Sequence, residues 1–91
     1  LQSELDFQKR KRAKKFDSLL ADKRHVKRLL FTNQRTIDDL EAQRSRLIRR
    51  NKDTKLINTI NRQRTMAEKK KRQYAERMAY IEAELSTLMA Q

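Results

Sequence analysis

Glycine, proline and cysteine are absent from the 91 residues of this chain, and aromatic residues make up only 5% of it. Tight turns between strands rely on glycine and proline for their backbone angles, and phosphate-binding loops rely on glycine. These absences argue against hairpins of strands, sandwiches, barrels and nucleotide-binding loops. Without cysteine there are no disulfides and no thiolate ligands for zinc. The composition therefore predicts an all-α protein.

Long apolar runs are also missing. The longest covers residues 78–81, only four residues, whereas a membrane-spanning helix needs ~20. We therefore expect no membrane partner.

The charge is strongly of one sign. Lysine and arginine number 24 against 12 aspartates and glutamates, which gives a formal net charge of +12. This excess favours a polyanionic partner, either nucleic acid or an acidic protein surface. The predicted polyanion-binding residues form two runs: Lys9, Arg10, Lys11, Arg12, Lys14 and Lys15, and later Lys69, Lys70, Lys71 and Arg72. The alternatives for the first run are a segment of nuclear-localisation type and a solvated helix face.

Hydrophobic spacing is the main structural signal. Two series of positions step alternately by three and four residues, which is the pattern of a heptad seam. The first series is Phe16, Leu19, Lys23, Val26, Leu30, Asn33, Ile37, Leu40, Arg44 and Leu47. The second is Ile57, Ile60, Arg64, Ala67, Lys71, Tyr74, Met78, Ile81, Leu85 and Leu88. Both series predict helices, and their charged and amide members predict polar layers in the seam.

The heptad phase is lost across the polar residues 49–55, which include the helix-capping types Asn51, Asp53 and Thr54. If the chain reverses there, the residue numbers of any two facing positions add up to 104, as for Leu19 and Leu85. We call this the constant sum of 104. We therefore predict two long helices in an antiparallel coiled-coil hairpin with a basic N-terminal extension. The predicted hairpin seam contains Phe16, Leu19, Val26, Leu30, Ile37, Leu47, Ile57, Ala67, Tyr74, Met78, Leu85 and Leu88. The alternative is one continuous helix, ~135 Å long at ~1.5 Å per residue, with a heptad stutter near residue 52.

This register divides the chain into four segments. They are a basic helical extension at 1–15, the first hairpin helix at 16–49, a turn at 50–54 and the second hairpin helix at 55–90. In the hairpin, residues 1–12 have no partner on the second helix and project beyond its end.

A weaker helix-boundary signal occurs at Thr36, which is followed by Asp38, Asp39 and Glu41. A hydroxyl followed by acidic residues is typical of a helix N-terminus, so the pattern allows a kink at 32–36. These carboxylates do not indicate a metal site, because adjacent positions on a helix point in different directions.

A second set of apolar residues lies off the seam and would be exposed in an isolated hairpin. We predict that these residues face a partner: Leu20, Leu29, Phe31, Ile48, Leu56, Met66 and Tyr80. The partner would be another helical protein or a second copy of the chain. The alternative is that they are single exposed apolar side chains, which are common on protein surfaces.

Catalysis has little support. The one histidine, His25, lies between Arg24 and Val26, and neighbouring positive charge with helical exposure makes it a poor general base or metal ligand. The carboxylates are interspersed with lysine and arginine, as on solvated helix faces. We predict that the protein is not an enzyme and has no catalytic residues, cofactor, metal or small-molecule substrate.

One family resemblance rests on short elements spread over residues 10–75. These are Leu20-Ala21-Asp22, a basic helix to Leu29, Asp39-Leu40-Glu41, and Ile60-Asn61-Arg62-Gln63-Arg64. Together they resemble the helical region that follows the Plus-three domain in the Restore-of-TBP-Function subunit of the RNA polymerase II-associated elongation complex. That region has glycine where this chain has Ala21 and a longer Asn-Arg element, and a short insertion precedes Asp39 here. The resemblance implies docking on polymerase and complex subunits, and a nuclear role in transcription elongation.

Two classes of function follow. The first is a basic helical scaffold or adaptor that docks on partner helices in a nucleic-acid-handling assembly, with lysine and arginine contacts to nucleic acid or acidic protein. Its location would be intracellular and nuclear. The second is a cytoskeletal or filament-associated coiled coil that binds an acidic polymer such as a microtubule.

Overall fold

The computed structural model describes residues 2–50 and 53–90, which form two α-helices. Helix α1 runs from Gln2 to Arg49 over 48 residues, and α2 runs from Thr54 to Ala90 over 37 residues. Asn51 and Lys52, in the middle of the predicted turn, lie outside the described residues. Arg50 N donates to Arg46 O at 3.1 Å, which closes the last turn of α1.

The two helices pack side by side as an antiparallel hairpin. The molecule measures 74 × 17 × 14 Å, whereas one continuous helix would be ~135 Å long. The predicted all-α hairpin fold is therefore confirmed.

The apolar seam forms its tightest cluster in the half of the hairpin away from the turn. Leu19 and Val26 of α1 pack there with Ile81 and Leu85 of α2, and Val26 is completely buried. Half-buried seam residues close around them: Phe16, Leu30, Tyr74, Met78 and Leu88. Leu19 opposite Leu85 is the pairing that the constant sum of 104 predicts.

A second buried group lies nearer the turn and consists of Ile37, Leu40, Ile60 and Ala67. Asn33 separates the two groups, and its Nδ2 donates to the carbonyl oxygen of Ala67 at 2.8 Å. Such a contact across the seam favours one register, because sliding the helices removes the donor from its acceptor.

The seam weakens toward the turn. Leu47 and Ile57 are only half-buried, and the Nε of Arg44 is buried without a hydrogen-bond partner among the described residues. A buried polar atom without a partner costs free energy. The packing therefore stabilises this end less than the Val26 end.

Asp53 begins α2. Its Oδ1 accepts a hydrogen bond from Lys55 N at 3.0 Å, and its carbonyl oxygen accepts the first helical bond, from Ile57 N at 3.2 Å. This is the geometry of an N-cap aspartate, which satisfies one of the free N–H groups at the helix start. α2 consequently begins at Thr54, one residue before the predicted boundary.

Helix α1 is continuous through the predicted extension and through the segment 32–36, where a kink was allowed. Its 48 residues need ~72 Å at ~1.5 Å per residue, which nearly equals the 74 Å length of the molecule. Thr36 is not a helix cap, because its Oγ1 donates to Thr32 O at 3.2 Å inside the helix. The half-buried side chain of Leu30 and the buried side chain of Ile37 on either side hold this segment in the helix despite the local capping signal.

The off-seam apolar residues divide into two groups. Exposure is confirmed for Phe31, Ile48, Leu56, Met66 and Tyr80. The expectation was wrong for Leu20 and Leu29, which are half-buried. Leu20 packs against the Val26 cluster because it lies next to the seam on the helix surface, so it supports the core.

The hairpin predicts a short distance between two exposed positions on facing sides of the helices, Lys27 and Ala75. The native chain has no cysteine, so spin labels can be attached specifically to Lys27→Cys and Ala75→Cys. Neighbouring helix axes lie 8–10 Å apart, whereas 48 residues of a straight helix would separate the labels by ~72 Å. A long distance in a dipolar electron-spin measurement would contradict the hairpin.

Two isoleucines on α1 allow a matched test of the seam. Ile37 is 3% exposed and Ile48 is 49% exposed. We expect Ile37→Ala to lower the free energy of unfolding by about 2 kcal/mol or more, and Ile48→Ala to lower it by less than about 0.5 kcal/mol. Urea unfolding followed by circular dichroism measures both, and equal effects would mean that Ile37 is not core.

Two adjacent residues of α1 allow a hydrogen bond across the seam to be compared with one within the helix. Asn33 bonds to α2, whereas Gln34 Nε2 donates to Asp38 Oδ1 at 3.0 Å within α1. We expect Asn33→Ala to cost about 1 kcal/mol and Gln34→Ala only about 0.2–0.5 kcal/mol. A cost for Asn33→Ala no larger than that for Gln34→Ala would remove the cross-seam bond as a source of stability.

Candidate polyanion-binding surface

The first basic run lies at the free end of the hairpin. By the constant sum of 104, Ala90, the last residue of α2, lies level with Lys14. Leu88 of α2 shares a hollow with Phe7, Lys11 and Arg12, so the end of α2 borders the later part of segment 2–13 on one side and the earlier part projects beyond it. Every side chain from 2 to 15 is exposed. Residues 9–12 are consecutive on a helix and therefore point outward in four directions around its axis. We call this segment, residues 2–13, the basic extension.

Ion pairs mark where the extension ends. Lys15 Nζ lies 3.4 Å from Glu84 Oε2, and Lys23 Nζ lies 3.8 Å from Glu82 Oε1. Lys15 is thus the first cation of the run with a carboxylate on the facing helix. Both pairs are partly exposed and contribute little stability, but they place the carboxylates of α2 beside α1. In the described chain, the cations before Lys15 form no ion pair of this kind: Lys9, Arg10, Lys11, Arg12 and Lys14.

The second basic run is divided among different surfaces. Lys71 occupies a seam position but is exposed. Asn33, which the constant sum of 104 pairs with Lys71, bonds to the backbone of Ala67 instead. Lys70 lines a groove between the helices. Lys69 and Arg72 lie on the outer side of α2 by their heptad positions. Four neighbouring cations in the sequence therefore do not form one cluster.

The register brings further cations to the middle of the hairpin. Residues 23–36 of α1 contain no aspartate or glutamate and lie level with residues 68–81, which include the second basic run. The α1 cations in this segment are Lys23, Arg24, Lys27, Arg28 and Arg35. These cations do not form a contiguous run, because they are spaced along the helix, so the sequence prediction did not include them. The constant sum of 104 was sufficient to place them level with the second basic run.

Phe31 is the one exposed aromatic residue of this middle region on α1. Its side chain is 67% exposed, and a shallow hollow beside it is lined by Arg24, Lys27 and Arg28. These cations come from the preceding two turns of the same helix. The hollow combines an apolar ring with positive charge, but it has no contribution from α2.

The residues considered for catalysis or metal binding lie apart from one another or are otherwise engaged. His25 is exposed on α1, Asp38 accepts the bond from Gln34, and Glu41 pairs with Arg64 across the hairpin. Within residues 2–50 and 53–90, no group of three or more histidine, aspartate or glutamate side chains is arranged to hold a metal ion.

Neither of the described helices has an apolar stretch of the length that a membrane crossing requires.

Comparison with known protein families, curated proteins and solved structures finds no match for this chain. The resemblance to the elongation-complex subunit therefore stays a prediction from short sequence elements.

Proposed function

We propose that this chain is a non-enzymatic helical adaptor in a nucleic-acid-handling assembly. In this proposal the hairpin is a rigid spacer, its basic extension contacts nucleic acid, and its exposed apolar residues bind a partner helix. The resemblance described above suggests transcription elongation in the nucleus as the setting.

The observation that carries the proposal is the position of Lys9, Arg10, Lys11 and Arg12. They lie at or beyond the end of α2, where Leu88 shares a hollow with Lys11 and Arg12 on one side, and none of the four forms an ion pair with a carboxylate of α2 among the described residues. Phosphate groups can approach the exposed sides of this helix end without displacing buried side chains. Contacts of this kind depend on clustered cations and carry no sequence information.

The second basic run is a weaker candidate for the same contact. Lys70 lines the groove between the helices, so α1 limits the directions from which a phosphate group can reach this run. Acidic residues neighbour both runs, Glu4 and Asp6 the first and Glu68 and Glu76 the second, so they do not distinguish the two. The basic extension is therefore the better primary contact for a polyanion.

Two variants with equal changes in net charge test this assignment. The first changes Lys9, Arg10, Lys11 and Arg12 to Gln, and the second changes Lys69, Lys70, Lys71 and Arg72 to Gln. We expect the first to lose most binding to a short DNA duplex or an RNA strand of equal length, and the second to lose less. The slope of log binding constant against log salt should fall by about 0.9 for each duplex phosphate contact removed.

Circular dichroism serves as the control, because both variants should keep the helix content of the native chain. If the second variant loses more binding than the first, the contact lies at the middle of the hairpin. If neither nucleic acid binds the native chain but microtubules sediment with it, the cytoskeletal alternative replaces this proposal.

A further inference from the structure

A groove runs along one side of the hairpin between α1 and α2. Leu29, Thr36 and Leu40 line it from α1, and Gln63, Met66 and Lys70 line it from α2. Gln63 also lines the continuation of this groove toward the turn, which reaches Leu56. We call the combined surface the side groove.

The floor of the side groove is apolar. Leu40, Ile60 and Ala67 are buried seam residues that also line it, so the apolar area open to a ligand comes from the residues beside them. Met66 and Leu56 stand beside the floor and are 64% and 47% exposed. A ligand seated here would cover both the rim and the floor.

The exposed apolar residues along this side span the length of a helix. Tyr80 follows Met66 by two heptads and therefore lies on the same face of α2. From Leu56 to Tyr80 the distance is ~36 Å at ~1.5 Å per residue. Phe31 and Ile48 occupy other heptad positions and point away from this side.

The charges of the side groove are all positive. Lys70 lines its middle part, and Arg46 and Arg50 line the part near the turn. None of the residues that line either part is aspartate or glutamate. The other polar residues of the lining are neutral: Thr32, Asn33, Thr36, Gln43, Thr59 and Gln63.

These features select one occupant. A second copy of the chain would bring the same cations and another net charge of +12 to a self-complementary interface, where like charges repel. A nucleic acid would satisfy the cations but would leave the exposed side chains of Leu56 and Met66 without an apolar partner. A helix with an apolar stripe flanked by carboxylates satisfies both.

We propose that the side groove binds an acidic amphipathic helix of a partner protein, which completes a three-helix bundle. This rests on the proposed adaptor function, since it names the chemistry of the partner helix. The apolar stripe of that helix packs on Leu29, Leu56 and Met66, and its carboxylates pair with Lys70, Arg46 and Arg50.

A designed peptide provides the probe. It is about 24 residues long, enough to cover ~36 Å of groove, with Leu at heptad positions a and d and Glu at the flanking positions e and g. One control peptide has Lys in place of Glu, and another has the acidic composition in scrambled order. Fluorescence anisotropy with the 91-residue chain should show a 1:1 complex with the acidic heptad peptide only.

Two double variants of the chain locate the binding surface. Leu56→Ser with Met66→Ser removes exposed apolar groups from the side groove, and Phe31→Ser with Ile48→Ser removes equally exposed groups elsewhere. We expect the first to weaken peptide binding by about tenfold or more, which corresponds to ~1.4 kcal/mol. The second should change it by less than about twofold.

Several results would overturn the proposal. Equal binding of the scrambled peptide would mean that charge alone is recognised, and absence of binding by the acidic heptad peptide would remove the groove as a helix site. Self-association of the native chain that the Leu56 and Met66 changes abolish would make a second copy the occupant. Loss of nucleic-acid binding in that double variant would assign the groove to nucleic acid.

Binding of an acidic helix and binding of nucleic acid can be tested independently of each other. Changing Lys9, Arg10, Lys11 and Arg12 to Gln should reduce nucleic-acid binding and leave peptide binding within about twofold. The reverse pattern is expected for the Leu56 and Met66 changes.

Discussion

The packing of one apolar stripe of α1 against one apolar stripe of α2 fixes the position of every other group in this protein. The stripe is narrow, since only eight apolar residues of the described chain are buried, with Val26 at the centre of the tightest cluster. Its register is held by Asn33, which bonds to the backbone of Ala67. Because the helices are long, this one register also determines which charges of α2 lie beside which charges of α1.

The electrostatic asymmetry of the hairpin follows from that register. The carboxylates near the end of α2 pair with lysines of α1, as Glu84 does with Lys15 and Glu82 with Lys23. These pairs are too exposed to stabilise the hairpin much. Their main effect is on where the positive charge lies. They reduce it along the part of α1 that packs on α2, and within the described helices no α2 carboxylate lies opposite the basic extension.

Much of the fold was predictable from the sequence because the seam is a periodic pattern. The steps of three and four residues predicted both helices, and the constant sum paired Leu19 with Leu85, which pack in the same buried cluster. The heptad pattern predicts the packing well in this protein, because the apolar contact between the helices is long and no loop interrupts it.

Local signals were less reliable where packing opposed them. Thr36 with its following acidic residues resembles a helix start, yet it lies inside α1 and bonds back to Thr32. A capping signal contributes only about 1 kcal/mol, whereas breaking α1 there would separate the buried side chains on either side. Packing likewise explains why Leu20 is half-buried and not exposed, because its position next to the seam lets it contact the core.

The candidate sites were predictable only in part. Sequence runs gave the cations of the extension correctly as an exposed set, but they also grouped Lys70 with neighbours that occupy other surfaces. Contiguity in sequence is a poor guide on a helix, because successive residues diverge by 100° around the axis. The side groove was missed because its lining comes from both helices and includes neutral residues such as Thr36 and Gln63, which stand out only when α1 and α2 are brought together.

In the proposed function the hairpin acts as a spacer, because the two proposed surfaces lie far apart along it. Met66 lies level with residue 38 of α1 in this register, which is ~39 Å along the axis from Arg12 at ~1.5 Å per residue. Sites that far apart, with no shared side chains, contribute to binding independently. A helix bound in the side groove therefore leaves the basic extension accessible, and the rigid body between them sets the distance at which a protein partner and a polyanion are held together.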